Sequence, residues 1–132
     1  MTKKLSQGLS YDDVLLKPQY SNIRSRGDID ISTNLSNKVS LELPVIASPM
    51  DTISESRMAA SMNRSGGMAI LHRYNSIPEQ VQLVKNSYKH STTKPIYGAA
   101  IGISGDYLER AAELIDVGIN VLCVDVAHGH HI

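Results

Sequence analysis

Residues 45–74 read VIASPMDTISESRMAASMNRSGGMAILHRY. Two apolar runs, Val45-Ile46-Ala47 and Met68-Ala69-Ile70-Leu71, bracket a longer stretch of mixed character. Neither run alternates polar with apolar, so each suits a strand buried on both faces, as in a parallel sheet. Between them Met58, Ala59 and Met62 recur at helical spacing. Thr52 stands three residues before Glu55, the spacing of a capping box at a helix start. Gly66-Gly67 suits a helix end, where the chain turns into the left-handed region. The stretch therefore reads strand–helix–strand, and a right-handed crossover is expected.

Downstream the same unit recurs. Apolar runs at Ile96–Ile101 and Val121–Val126 follow the first two, and the four starts lie 23, 28 and 25 residues apart. Helix starts are predicted at Ser76, three before Glu79 and with Pro78 in the first turn, and at Asp106, three before Glu109. Stripes follow at Ile77, Val81, Val84, Tyr88 and at Leu108, Ala111, Ala112, Ile115, the second helix of this pair closing at Gly118. The order is βαβαβαβ: an α/β fold of about four parallel strands and three helices in residues 45–132. Residues 1–44 do not share the rhythm. They carry turn signals at Lys17-Pro18 and Ser25-Arg26-Gly27 and a short strand pair at Asp28–Ser32 and Val39–Leu43. They are read as an N-terminal cap segment of the same single, partial domain.

Composition narrows the partners. The chain has 132 residues, 42% of them apolar, with six Tyr, five Met and neither Phe nor Trp, so its core is aliphatic. Acidic and basic residues balance at 13 each, which gives no electrostatic case for nucleic acid or an anionic membrane. Small molecules and other copies of the chain are the expected partners. Cys123, the single cysteine, sits in the most apolar run and reads as a small buried hydrophobe. There is no run of the ~18 apolar residues that a membrane span needs. MTKKLSQGLS lacks the apolar core of a secretory signal, so a cytoplasmic setting is expected.

Polar chemistry gathers where the strands end, which is where parallel α/β folds bind ligands. The first strand runs into Ser48-Pro49-Met50-Asp51-Thr52, the second into His72-Arg73-Tyr74-Asn75. The third ends in Ala99-Ala100-Ile101-Gly102, and the fourth in Asp125-Val126-Ala127-His128-Gly129. Taken singly, Asp51 and Thr52 could simply start a helix, and His72 could simply pack in the core. Four such ends on one rim point to a site. His128, His130 and His131 could hold a metal, but no carboxylate or cysteine at ligand spacing completes them, so no metal site is assigned. No GxxxxGK[ST] motif occurs.

LSYDDVLLKPQYS (9–21), LPVIASPMDTISESRMAASMNRSGGMAILHRYNSI (43–77), YGAAIG (97–102) and VDVAHGH (124–130) together resemble the start of the IMP dehydrogenase/GMP reductase family. The resemblance implies the N-terminal half of a (β/α)8 TIM barrel. It implies that Ser48 and Met50 contact a purine nucleotide, IMP or GMP, with Met50 under the base. It implies that Asp125 binds the ribose of a nicotinamide cofactor, NAD or NADP, with Val126 and Ala127 lining the same pocket. Arg73 stands where relatives often carry a cofactor-contacting lysine. Ser25-Arg26 resembles a pair that reaches a neighbouring subunit's cofactor in the reductases. A homo-oligomer, a tetramer in the complete enzyme, is implied, as is a monovalent cation such as K+.

The family's nucleophilic cysteine lies on a later loop, so no catalytic residue is assigned here, and the chain alone is expected to be inactive. Cys123, inside a strand, does not match it. Pro49 and Gly66-Gly67 resemble dehydrogenases, which oxidise IMP to XMP with NAD. Ser25-Arg26 and the short link from His90 to Pro95, too short for the inserted modules of many dehydrogenases, fit a reductase that converts GMP to IMP with NADPH. The dehydrogenase reading stands first, the reductase second, and a catalytically inactive assembly module third.

Overall fold

The computed structural model describes residues 6–91 and 95–130. It divides at Asp30 into two units. The described part of the first unit, residues 6–30, is largely extended and exposed, with a short 3-10 turn at Arg26–Asp28. Ser25 precedes that turn, and its hydroxyl accepts from the Gly27 N–H at 3.2 Å.

The second unit opens with an antiparallel pair, β1 (Thr33–Ser36) and β2 (Val39–Leu41). The predicted first strand, Asp28–Ser32, is displaced: the 3-10 turn occupies its start, and pairing waits until Thr33. Then come β3 (Ile46–Ala47), α1 (Ser56–Arg64), β4 (Met68–Leu71), α2 (Ile77–Lys89), β5 (Gly98–Ile101), α3 (Tyr107–Asp116) and β6 (Val121–Val124). The four later strands form one parallel sheet in the order β3-β4-β5-β6. Sequential parallel strands joined by helices make up an arc of a TIM barrel, here with the sheet unclosed.

Alternation along the strands explains both faces. Ala69 and Leu71 of β4, with Ala99 and Ile101 of β5, pack against Ala59, Val84 and Leu114 from the three helices. Met68, Ile70 and Ala100 face the other way, where Leu41 of β2, Val121 and Cys123 cover them. All residues of the two inner strands are buried, as their unbroken apolar runs predict. The edge strands are not: Ile46 is 42% and Val124 53% exposed.

Local chemistry sets the helix ends. At α2 the capping box forms as predicted: the Glu79 carboxylate accepts from Ser76 N at 2.8 Å and from Ser76 Oγ at 2.7 Å. Those bonds hold its carboxyl below the usual range. At α1 and α3 the predicted boxes do not form. The α1 helix starts four residues after Thr52, with Glu55 at its N-cap. Asp106 does stand at the N-cap of α3, but its carboxylate turns to Arg110 instead. Both helices end as the glycines predict. Gly67 N bonds Met62 O and Gly66 N bonds Asn63 O; Ile119 N bonds Leu114 O and Gly118 N bonds Ile115 O. Gly66 and Gly118 take φ of 84° and 94°, where a side chain would be strained.

The predicted α3 stripe is corrected, and the α1 stripe in part. On α3 the buried residues are Arg110 and Leu114, with Ala111 partly covered, while Leu108 and Ile115 face outward at 69% and 59% exposure. On α1 the stripe holds for Ala59, buried, and Met62, packed against the same core, while Met58 is exposed and Ala60 is buried in its place. On α3 the buried face thus lies to one side of the most apolar stripe. Among the described residues no helix is long and apolar enough to cross a membrane.

Candidate functional site

The site is the rim at the carboxyl ends of β3 to β6. After β3 the chain folds back on itself. Met50 N donates to Ser48 O at 2.8 Å, and the buried Ser54 hydroxyl donates to the same oxygen. Ser54 N in turn donates to Met50 O at 2.9 Å. The loop is tight enough to place Thr52 at φ 59°, a conformation that β-branched residues rarely adopt. Ser48 and Met50 are held at its exposed side, and the Met50 thioether, half open to solvent, offers a polarizable apolar face.

After β4 two neighbours diverge. His72 is buried, its Nδ1 accepting from Tyr74 N at 3.3 Å. With Nδ1 accepting, Nε2 is the ring's N–H. That nitrogen lies 3.5 Å from a Glu55 oxygen and 3.9 Å from an Asp51 oxygen, and makes no hydrogen bond. Arg73 turns to the far end of the rim. Its Nη2 donates to Asp125 O at 2.9 Å, and its Nε stands 3.6 Å from the Asp125 carboxylate. Asp125 itself is fixed by its N–H donating to Ile101 O at 2.9 Å. Between them lies Gly102, where an ideal Cβ would sit 3.4 Å from Arg73 Nη1. The guanidinium thus packs directly over the backbone that follows β5.

Arg73 and Asp125 are thus brought together, with Val126 half-buried and Ala127 exposed just beyond. Ser48 and Met50 sit on the β3 loop, two strands away from β5 in the sheet. Ser25 and Arg26 belong to the first unit, on its 3-10 turn. His131 lies outside the described residues, and among those described no three metal-binding side chains converge. Cys123 points toward the Leu41 side of the sheet, and burial, with Asp125 nearby, pushes its thiol up. A protonated thiol is a poor nucleophile.

Sequence reasoning missed a polar network under the rim. Gln80 of α2 is fully buried. Its side-chain N–H groups face Ala100 O at 2.9 Å and Leu71 O at 3.4 Å, carbonyls at the ends of β5 and β4. Its Oε1 accepts from Arg110 Nη1 at 2.9 Å. Arg110, 7% exposed, also donates from Nη2 to Asn75 O at 3.0 Å and to Asp106 at 2.9 Å. The bonds from Arg110 hold the Asp106 carboxyl below its usual range. A signal was available: Asp106 and Arg110 stand four apart on one helix, and Gln80 interrupts an apolar stripe between Ile77 and Val84.

A family model described as the IMP dehydrogenase / GMP reductase domain matches residues 8–132. The chain is similar to the GMP reductase of Leishmania donovani, 51% identical over 81 residues, covering 61% of this chain and 16% of that protein. It is also similar to the inosine-5'-monophosphate dehydrogenase of Cryptosporidium parvum, 33% identical over 169 aligned positions, covering 98% of this chain and 42% of the relative. The corresponding enzyme of Nitrosopumilus maritimus is 38% identical over 107 residues, covering 73% of this chain and 22% of the relative. The chain therefore spans less than half the length of these relatives. With the family match running over nearly all its residues and the four-stranded arc matching its fold, the chain belongs to the IMP dehydrogenase/GMP reductase family of purine nucleotide oxidoreductases.

Proposed function

We propose that this chain supplies one side of the active site of an IMP dehydrogenase, which oxidises IMP to XMP with NAD. The observation that carries the reading is the meeting of Arg73 and Asp125 across the end of β5. A carboxylate suits vicinal ribose hydroxyls because it accepts from both. The Arg73 guanidinium beside it, bonded to the Asp125 main chain, holds that carboxylate in place. Gly102 lies against the guanidinium of the pair. The donor set thus fits a nicotinamide nucleotide, which when bound would take up the hydride. Val126 and Ala127 extend the same surface. On the β3 loop, Ser48 offers a hydroxyl and Met50 an apolar face suited to a purine base.

A second reading, GMP reductase with NADPH, draws on the 51% identity to the Leishmania enzyme. In it the same residues keep the same roles, and Ser25-Arg26 reach a neighbouring subunit's cofactor. Both readings imply a homo-oligomer.

The test uses full-length protein containing this chain. XMP and NADH formed from IMP and NAD support the first reading; NADPH consumed with GMP, releasing ammonia, supports the second. Asp125→Ala should remove charge-assisted bonds of about 1.5–3 kcal/mol, roughly ten- to a hundredfold in kcat/KM for the cofactor. Met50→Glu should instead weaken nucleotide binding first. An unchanged cofactor KM and kcat in Asp125→Ala would take Asp125 out of the site.

A further inference from the structure

We propose that Gln80 and Arg110 are positioning residues: they hold the loop 72–75 at the angle that lets Arg73 reach Asp125. The consequence for ligand binding rests on the reading of that pair as a cofactor site; the positioning itself does not.

The bonds form one continuous line. It starts at Ala100 O, beside the end of β5, and passes through the Gln80 side chain to Arg110. It finishes at Asn75 O, two residues past Arg73. The loop is thereby tied at its far side to the same strand, β5, that is followed by Gly102 against the Arg73 guanidinium. Moving either anchor moves Arg73 relative to Asp125.

The residue types fit such a strut. Arg110 uses Nε, Nη1 and Nη2 toward Asp106, Gln80 and Asn75. A planar fork can serve three partners at fixed angles, and a lysine ammonium on a flexible stem cannot. Gln80 supplies donors and an acceptor from one group, so it can join two carbonyls to a cation. Stability alone does not account for them. A buried cation is costly to desolvate, and an apolar pair of similar volume would often hold the helices together as well. What an apolar pair lacks is direction, and direction is what a loop carrying a ligand-facing arginine requires.

Two variants of the full-length protein test this. Arg110→Lys keeps the charge and the Asp106 partner but loses the fork. Gln80→Leu combined with Arg110→Met removes the strut without stranding one partner against the other. Hydrogen exchange at the amides of residues 73–75 should rise about tenfold or more in both, with β4, β5 and α2 still protected. Nicotinamide cofactor binding, followed by titration, should weaken about tenfold while nucleotide affinity changes little. Loop exchange that stays at the parent rate, exchange that rises equally throughout the sheet, or failure of both variants to fold would overturn the proposal. Asp125→Ala separates the two layers. If it leaves cofactor affinity intact while Arg110→Lys loosens the loop, the site reading fails and the strut stands. If it weakens cofactor binding but the loop never loosens, the strut fails alone.

Discussion

His72 and Arg73 are neighbours in the chain, yet their side chains serve opposite ends of the rim. His72 Nε2 lies 3.5 Å from Glu55 on the β3 side, while Arg73 Nη2 donates at 2.9 Å to Asp125 after β6. One dipeptide just past β4 therefore touches groups beside β3 and after β6, the two edges of the four-stranded sheet.

Arg73→Met should therefore cost little in folding and more in binding. Both partners are about one-third exposed, and such pairs contribute about 0–1 kcal/mol. The melting temperature should shift by no more than a few degrees. Cofactor affinity should fall about tenfold, because the Asp125 main chain and carboxylate both lose their guide. Arg73→Lys should recover part of that affinity through charge. Titration of the variants with NAD and NADPH checks the order.

Gly67→Ala should be the more damaging change to the fold. A Cβ there would lie 2.6 Å from Val45 O and 3.1 Å from Met62 Cε. The carbonyl is main chain and accepts from Met68 N, so it cannot swing aside. Overpacking of this kind costs about 1–3 kcal/mol. Urea denaturation of Gly67→Ala should show a lower midpoint at the same slope; an unchanged midpoint would mean that β3 and α1 separate easily.

Much of this was legible before the structure. The unbroken apolar runs set β4 and β5 between two covered faces, and the glycine pair set the end of α1. The rim chemistry followed from what stood after each run. What escaped was of two kinds. Thr52 and Glu55 have capping-box spacing, but tertiary bonds from Ser54 and Met50 delay the helix to Ser56. The stripe Leu108, Ala111, Ala112, Ile115 is more apolar than the face that α3 actually buries. Arg110 overrides it, because its head finds Gln80, Asn75 and Asp106, partners 30, 35 and 4 residues distant in the chain. Periodicity ranks residues one at a time and does not see such satisfaction.

The capping box of α2 should respond to acid. The Glu79 carboxyl is held below its usual value by Ser76, so its contribution is present above the unfolded value and is lost as pH falls through the folded one. The first turn of α2 should be steady from neutral pH down to the ordinary glutamate range and fray only as pH falls below it. Glu79→Gln keeps an acceptor in the box but has no proton to gain, so its first turn should be flat over that range. Amide chemical shifts of residues 77–80, followed against pH, give both curves.

Cys123 should be slow to alkylate. Burial raises its thiol above the ordinary cysteine value, so at neutral pH the thiolate fraction is smaller than in a free peptide. Iodoacetamide should react with the folded protein about tenfold more slowly than with the same protein in urea. Equal rates would place Cys123 at an open, activated position.

Thr52 bears on how this sequence could be improved by selection. A β-branched residue at φ 59° costs on the order of 1–2 kcal/mol against glycine or asparagine at the same angle. A laboratory search for heat resistance should therefore find Thr52→Asn or Thr52→Gly early. Glycine, freer in the unfolded chain and less confined in the folded one, would let the Ser48–Met50 bend wander; asparagine would keep more of its shape. Comparing thermal gain against nucleotide affinity in those two survivors would reveal how far durability and ligand capture trade against each other at a single backbone angle.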